Sequence, residues 1–181
     1  MKKHLFLLSL VAGMVFSLSV RADFYAGVGA GISFNEGSST KNAVRSEYKD
    51  STVYSLAGGY QLPLPILDVR GEVEYLRLRP ELKDGRTKQL DGVFVNAYGF
   101  IPLIPLVDPY IGMGIGRVRY DHTNAFAVQG MMGVEYSLPF LPDLSVGGEY
   151  RYLKINETTG KAMTPSKFHT NILMLKARYM F

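Results

Sequence analysis

Leu67-Asp68-Val69-Arg70-Gly71-Glu72-Val73-Glu74-Tyr75 alternates strictly between apolar or small residues and charged ones. A helix would scatter these charges around its axis, whereas a strand sends successive side chains to opposite faces. The segment 67–79 is therefore read as a strand. Leu67, Val69, Gly71, Val73 and Tyr75 take one face; Asp68, Arg70, Glu72 and Glu74 take the other.

The same period of two recurs along the chain. In 23–34, Phe24, Ala26, Val28, Ala30, Ile32 and Phe34 oppose Tyr25, Gly27, Gly29, Gly31 and Ser33. In 125–138, Phe126, Val128, Met132, Val134, Tyr136 and Leu138 oppose Gln129, Met131, Gly133, Glu135 and Ser137. Segment 143–154 sets Leu144, Val146, Tyr150 and Tyr152 against Ser145, Gly147, Glu149 and Arg151. Segment 168–181 sets Leu173, Leu175, Ala177, Tyr179 and Phe181 against Ile172, Met174, Lys176, Arg178 and Met180. Runs 51–62, 91–101 and 109–120 read as strands by Gly, aromatic and β-branched content, with their facing left open. Asn96, and the pair Arg117 and Arg119, are expected to mark either a bulge or the edge of a buried zone. The expectation is eight strands, each long enough to cross a bilayer at a tilt.

Two kinds of connection alternate. Leu62-Pro63-Leu64-Pro65, Ile101-Pro102-Leu103-Ile104-Pro105 and Leu138-Pro139-Phe140-Leu141-Pro142 are short and apolar, and Pro ends pairing because it has no amide to donate. Between them lie polar loops at 35–50, 80–89, 121–124 and 156–167. Short connections at one end and long polar ones at the other fit an up-and-down barrel with a periplasmic and an external rim.

The chain begins with Lys2 and Lys3, then an apolar run from Leu5 to Val20 and Val20-Arg21-Ala22. That is the pattern of a secretory signal peptide over 1–22, with cleavage expected between Ala22 and Asp23 and the barrel domain over 23–181. Its removal takes away Lys2, Lys3 and Arg21, so the formal charge of +4 falls to +1. So small a charge gives no electrostatic case for nucleic acid. With 47% hydrophobic residues and 12% aromatics the chain is not disordered. Having no Cys, it carries no disulfide or thiolate metal site; its three His show no metal spacing, and no cofactor is expected. Its Gly-x-Gly runs do not sit between a strand and a helix, so they are not dinucleotide loops.

Alternation alone does not say which face is inside. A lipocalin-like soluble barrel buries its apolar face, and a membrane barrel inverts this. The polar face carries Arg70, Arg151, Lys176 and Arg178 against Glu72, Glu74, Glu135 and Glu149, a neutral set suited to pairing in a narrow lumen. Its remaining positions are mostly Gly, Ser and Gln. The other face is aliphatic, with Tyr and Phe near strand ends as aromatic girdles require. The fold expected is all-β: an eight-stranded antiparallel up-and-down transmembrane β-barrel, with those eight charges as a structural lumenal network.

Four stretches carry a resemblance: Phe24 to Gly31, Pro109 to Gly116, Gly148-Glu149-Tyr150-Arg151-Tyr152-Leu153, and Lys176-Ala177-Arg178-Tyr179-Met180-Phe181. They resemble the small eight-stranded outer-membrane barrels that include the OmpA transmembrane domain, OmpX-type proteins and porin-family surface antigens. The resemblance implies an outer-membrane location of Gram-negative type. It also implies that Tyr179 and Phe181 form the signal read by the barrel-assembly machinery. With Phe181 last, no peptidoglycan-binding domain is expected.

The partners expected are outer-membrane lipid, lipopolysaccharide and a host or surface ligand met by the external loops. The leading expectation is a non-enzymatic structural and surface-exposed role with a closed or very narrow lumen. A second is a narrow conduit for small hydrophobic compounds, along a groove left by Gly27, Gly29, Gly31, Gly112, Gly114 and Gly116. A third is a lipid A-modifying enzyme, for which the candidates are His122 beside Thr123 and His169 beside Thr170, with Asn171 on the face of His169.

Overall fold

The computed structural model describes residues 23–34, 51–62, 64, 67–79, 89–101, 105–120, 123–156 and 168–181. They form eight strands: β1 (Asp23–Phe34), β2 (Ser51–Leu62), β3 (Asp68–Arg79), β4 (Leu90–Phe100), β5 (Val107–Tyr120), β6 (Thr123–Leu138), β7 (Leu141–Asn156) and β8 (Phe168–Met180). Each pairs antiparallel with its sequence neighbours. β1 also pairs with β8, from Tyr25 opposite Met180 to Phe34 opposite Asn171, and closes the barrel. Closure leaves no unpaired edge, the condition for a sheet in lipid.

Three details depart from the sequence reading. Residues 123 and 124 belong to β6, so only 121–122 separate β5 from β6 where a polar loop over 121–124 was expected. Of the two readings of Asn96, Arg117 and Arg119, the bulge is excluded, because the register through β4, β5 and β6 is unbroken around them; Asn96 is buried, and Arg117 and Arg119 are exposed towards the long-loop end of β5. The register shift lies instead at Ser137 and Leu138, beside the tight Pro139-Phe140 turn, which also lets β7 begin at Leu141 rather than 143. The expected polar loops over 35–50, 80–88 and 157–167, residues 121–122, residues 63, 65–66 and 102–104 of the Pro-spaced connections and the expected leader over 1–22 lie outside the described residues.

The faces sort as the alternation requires. Outward stand Val28, Leu56, Val73, Val95, Met113 and Leu175, the last 75% exposed although wholly aliphatic. Aromatics bracket this belt: Phe24, Tyr136, Tyr179 and Phe181 at the short-turn end, Phe34, Tyr54, Phe126 and Tyr152 at the long-loop end. An aliphatic band between two aromatic rings fits a bilayer and not water.

The strands with open facing now resolve. Ser51, Val53, Ser55, Ala57, Phe94, Asn96, Tyr98, Phe100, Tyr110 and Val118 point inward and are buried. Lumenal rings need space, and glycines of the neighbouring strand provide it. Tyr25 lies opposite Gly59, Tyr98 opposite Gly112, Phe94 opposite Gly116 and Tyr110 opposite Gly133. A Cβ at any of these glycines would lie 2.5 to 2.6 Å from ring atoms, tighter than side chains pack.

Candidate functional site

The lumen has two storeys. In the half nearer the long loops it is apolar: Val53, Leu76, Phe94, Leu153, Ile172 and Met174 meet across the axis, each at most 1% exposed. This corrects the expectation that the inner face beyond its charges is mostly Gly, Ser and Gln. A fully buried aliphatic or Phe side chain is worth about 1.5–3 kcal/mol, so this storey is a stable plug.

The half nearer the short turns holds all eight expected charges, joined into one chain of contacts. Arg70 Nη1 reaches Glu135 Oε2 at 2.9 Å, and Arg178 Nη1 donates to the same oxygen. Arg178 also lies 3.8 Å from Glu72. Lys176 Nζ bridges Glu149 at 3.1 Å and Glu72 and Glu74 at 3.9 Å. Arg151, fully buried, grips Glu74 at 2.8 and 3.0 Å and Glu149 at 2.6 Å. Four cations face four anions in a space closed to solvent, which makes complete pairing a condition of folding.

Neutral groups that the sequence did not assign complete the set. Tyr25 and Tyr98 hydroxyls donate to Glu72 at 2.9 Å each, and Tyr110 donates to Glu149 at 3.0 Å. Asn96 Nδ2 donates to Glu72 and Glu74 at 3.1 and 3.0 Å and its Oδ1 accepts from Gln129 at 2.7 Å. Ser145 donates to Glu135 at 2.5 Å. Arg70 stacks 4.1 Å from the Phe100 ring centroid and 4.9 Å from that of Tyr25, a favourable cation–π geometry. Tyr25, Gln129 and Ser145 stand on the sequence's polar face, so parity alone signals them. Tyr98 and Tyr110 carry no such signal, because their strands show no clear charged side.

The lumenal glycine groove does not form. A Cβ at Gly114 would collide with Asn96 Oδ1, and one at Gly29 would lie 2.9 Å from the Met174 methyl. At the short-turn mouth a polar cavity of about 100 Å³, bordered by Gln61, Asp68, Arg70 and Asp143, has room for a few waters.

The candidate pair His169 and Thr170 of the lipid-modifying alternative is not assembled. His169 lies on the outer wall with its ring 6.1 Å from that of Tyr152, whereas Thr170 is buried inside and donates to the Phe34 carbonyl at 3.3 Å. Asn171, also on the outer wall, accepts from the Tyr150 hydroxyl at 2.8 Å. His122 lies outside the described residues. Among the described residues no group of His, Asp or Glu is placed to hold a metal ion. At the last strand, the rings of Tyr179 and Phe181 meet edge to face at 5.3 Å, and the Phe181 amide donates to the Phe24 carbonyl at 2.9 Å.

The outer membrane protein beta-barrel domain matches residues 5–181. The fold is similar to that of Neisserial surface protein A (NspA), at 19% identity and a TM-score of 0.63, over 88% of this chain and 99% of that one. It is similar to Ail, the attachment invasion locus protein of Yersinia pestis, solved in complex with the heparin analogue sucrose octasulfate. There the identity is 14% and the TM-score 0.50, over 88% of this chain and 97% of that one. No curated protein sequence matches this chain. At these identities the two structures speak for the fold.

Proposed function

The chain belongs to the outer membrane protein beta-barrel domain family, and from that premise we propose that it is a closed scaffold in the outer membrane that works through its long loops. The observation that supports this reading is the filled interior among the described residues: a paired charge network nearer the short turns and buried apolar side chains nearer the long loops. Eight strands enclose an interior just wide enough for side chains, and here side chains fill it. The work therefore falls to loops 35–50, 80–89 and 156–167, held at one rim by a rigid wall. A binding or adhesive role suits them, since loops on a stiff scaffold commonly carry recognition.

The same reading has no enzymatic step. Thr170 and His169 stand on opposite sides of the wall, so His169 does not face that hydroxyl. Residues 1–22 serve as the cleaved leader, with Ala22 and Asp23 at the cleavage point. Tyr179 and Phe181, paired by their rings at the end of β8, serve as the assembly signal. Single-protein recording in planar bilayers tests the central claim. The expected trace has no steady open state, and a stable ohmic conductance would overturn the closed scaffold.

A further inference from the structure

Among the described residues, charged side chains on the outer wall gather at the long-loop end. Arg77 and Arg79 of β3 and Arg117 and Arg119 of β5 project outward on either side of β4. Asp91 of β4 stands between them, opposite Arg77 on one side and Arg119 on the other, while Arg117 stands opposite Val93. With strands about 4.8 Å apart and same-face residues about 6.8 Å apart along a strand, the four guanidinium groups share a patch roughly 10 Å wide. The Asp91 carboxylate is already engaged, accepting from Arg77 Nε at 2.8 Å, Tyr75 at 2.6 Å and Gln89 at 2.7 Å. No described acidic group pairs with Arg79, Arg117 or Arg119.

The placement identifies the occupant. The patch sits where the aliphatic belt ends, directly beyond Val93 and Ile115, which are 53% and 57% exposed. The other five strands carry one outward Lys or Arg between them, Lys154, and the outward positions of the short-turn end carry none. A cationic cluster touching an apolar wall at one depth fits an amphiphile with anionic groups at the arginine level and acyl chains below. Guanidinium forks match phosphate oxygens two at a time.

We propose that Arg77, Arg79, Arg117 and Arg119 form a docking site for the phosphorylated headgroup of lipopolysaccharide, whose acyl chains lie along Val93 and Ile115. The proposal rests on the reading that the long-loop end faces outward. It does not depend on the sealed lumen, which bilayer conductance scores separately.

The test uses the full barrel folded in detergent and the temperature at which its gel mobility changes. Diphosphorylated lipid A is expected to raise that temperature. The same lipid stripped of phosphate, and inorganic phosphate alone, are expected not to. The Arg117→Gln, Arg119→Gln double variant should raise the half-saturating lipid concentration at least about tenfold, and Lys154→Gln should leave it unchanged. Equal protection by dephosphorylated lipid, or an unchanged half-saturation in the arginine variant, overturns the proposal. Should the Gln variant fail to fold, Arg117→Lys with Arg119→Lys keeps the charge and loses the fork. A weaker but measurable loss of affinity is expected there, and no loss overturns the proposal.

Discussion

Replacing Arg151 by Gln tests whether the lumenal network is a dry, paired set. The guanidinium is fully buried and holds Glu74 by two bonds, at 2.8 and 3.0 Å, and Glu149 by two more, at 2.6 and 3.1 Å. After the substitution Lys176 still lies 3.1 Å from Glu149, but only 3.9 Å from Glu74. Glu149 therefore keeps a close cation and Glu74 loses its own. Stranding one buried charge costs about 3–5 kcal/mol, and the remaining lysine places the expectation near the lower end. About 3 kcal/mol shifts the folded-to-unfolded ratio more than a hundredfold. The chain has no Trp, so denaturant titration in lipid vesicles is followed by far-ultraviolet circular dichroism and by gel mobility. Adding Glu74→Gln to the variant removes the stranded charge, and the double variant is expected to recover much of the loss. A cost below about 1 kcal/mol for Arg151→Gln, the range of solvent-exposed pairs, would refute the reasoning. So would strict additivity of the two substitutions, since it would mean that the groups do not interact.

Two further substitutions and a deletion probe other parts of the molecule. Gly114→Ala drives a methyl group into Asn96 and to 3.0 Å from Gln129, an overpacking expected to cost about 1–3 kcal/mol and seen as a lower gel-shift temperature. An unchanged temperature would show slack in the lumen. Leu175→Arg places a charge in the middle of the aliphatic belt and should cost about 2–4 kcal/mol in a bilayer. A neutral result in vesicles would mean that this face does not meet lipid. Removing Phe181 should leave detergent refolding in vitro nearly intact while lowering the amount of barrel recovered in outer membranes of expressing cells. Equal recovery would show that the terminal aromatic is not an assembly signal.

What the sequence determined by itself is the alternation and its punctuation. Arg70, Glu72 and Glu74 separated by Val and Gly admit a strand and no helix, and the Pro-spaced turns at 63, 102 and 139 set the hairpin units. The inward set of β1, β3, β6, β7 and β8 follows from parity, since each of these strands has a visibly polar side. The facing of β2, β4 and β5 was not legible. Tyr98, Phe94 and Tyr110 are as apolar as the residues that face lipid, and an inward ring differs from an outward one only by the glycine opposite it. Those glycines, at 112, 116 and 133, lie in other strands, so register had to be known first. The apolar storey was hidden for the same reason: Leu76 and Leu78 continue the inward parity of Glu72 and Glu74 but resemble lipid-facing residues. Only closure of the barrel decided which charge meets which. Arg151 and Glu74, 77 residues apart, are brought together by inward projection across a narrow interior, and local sequence contains no record of that distance.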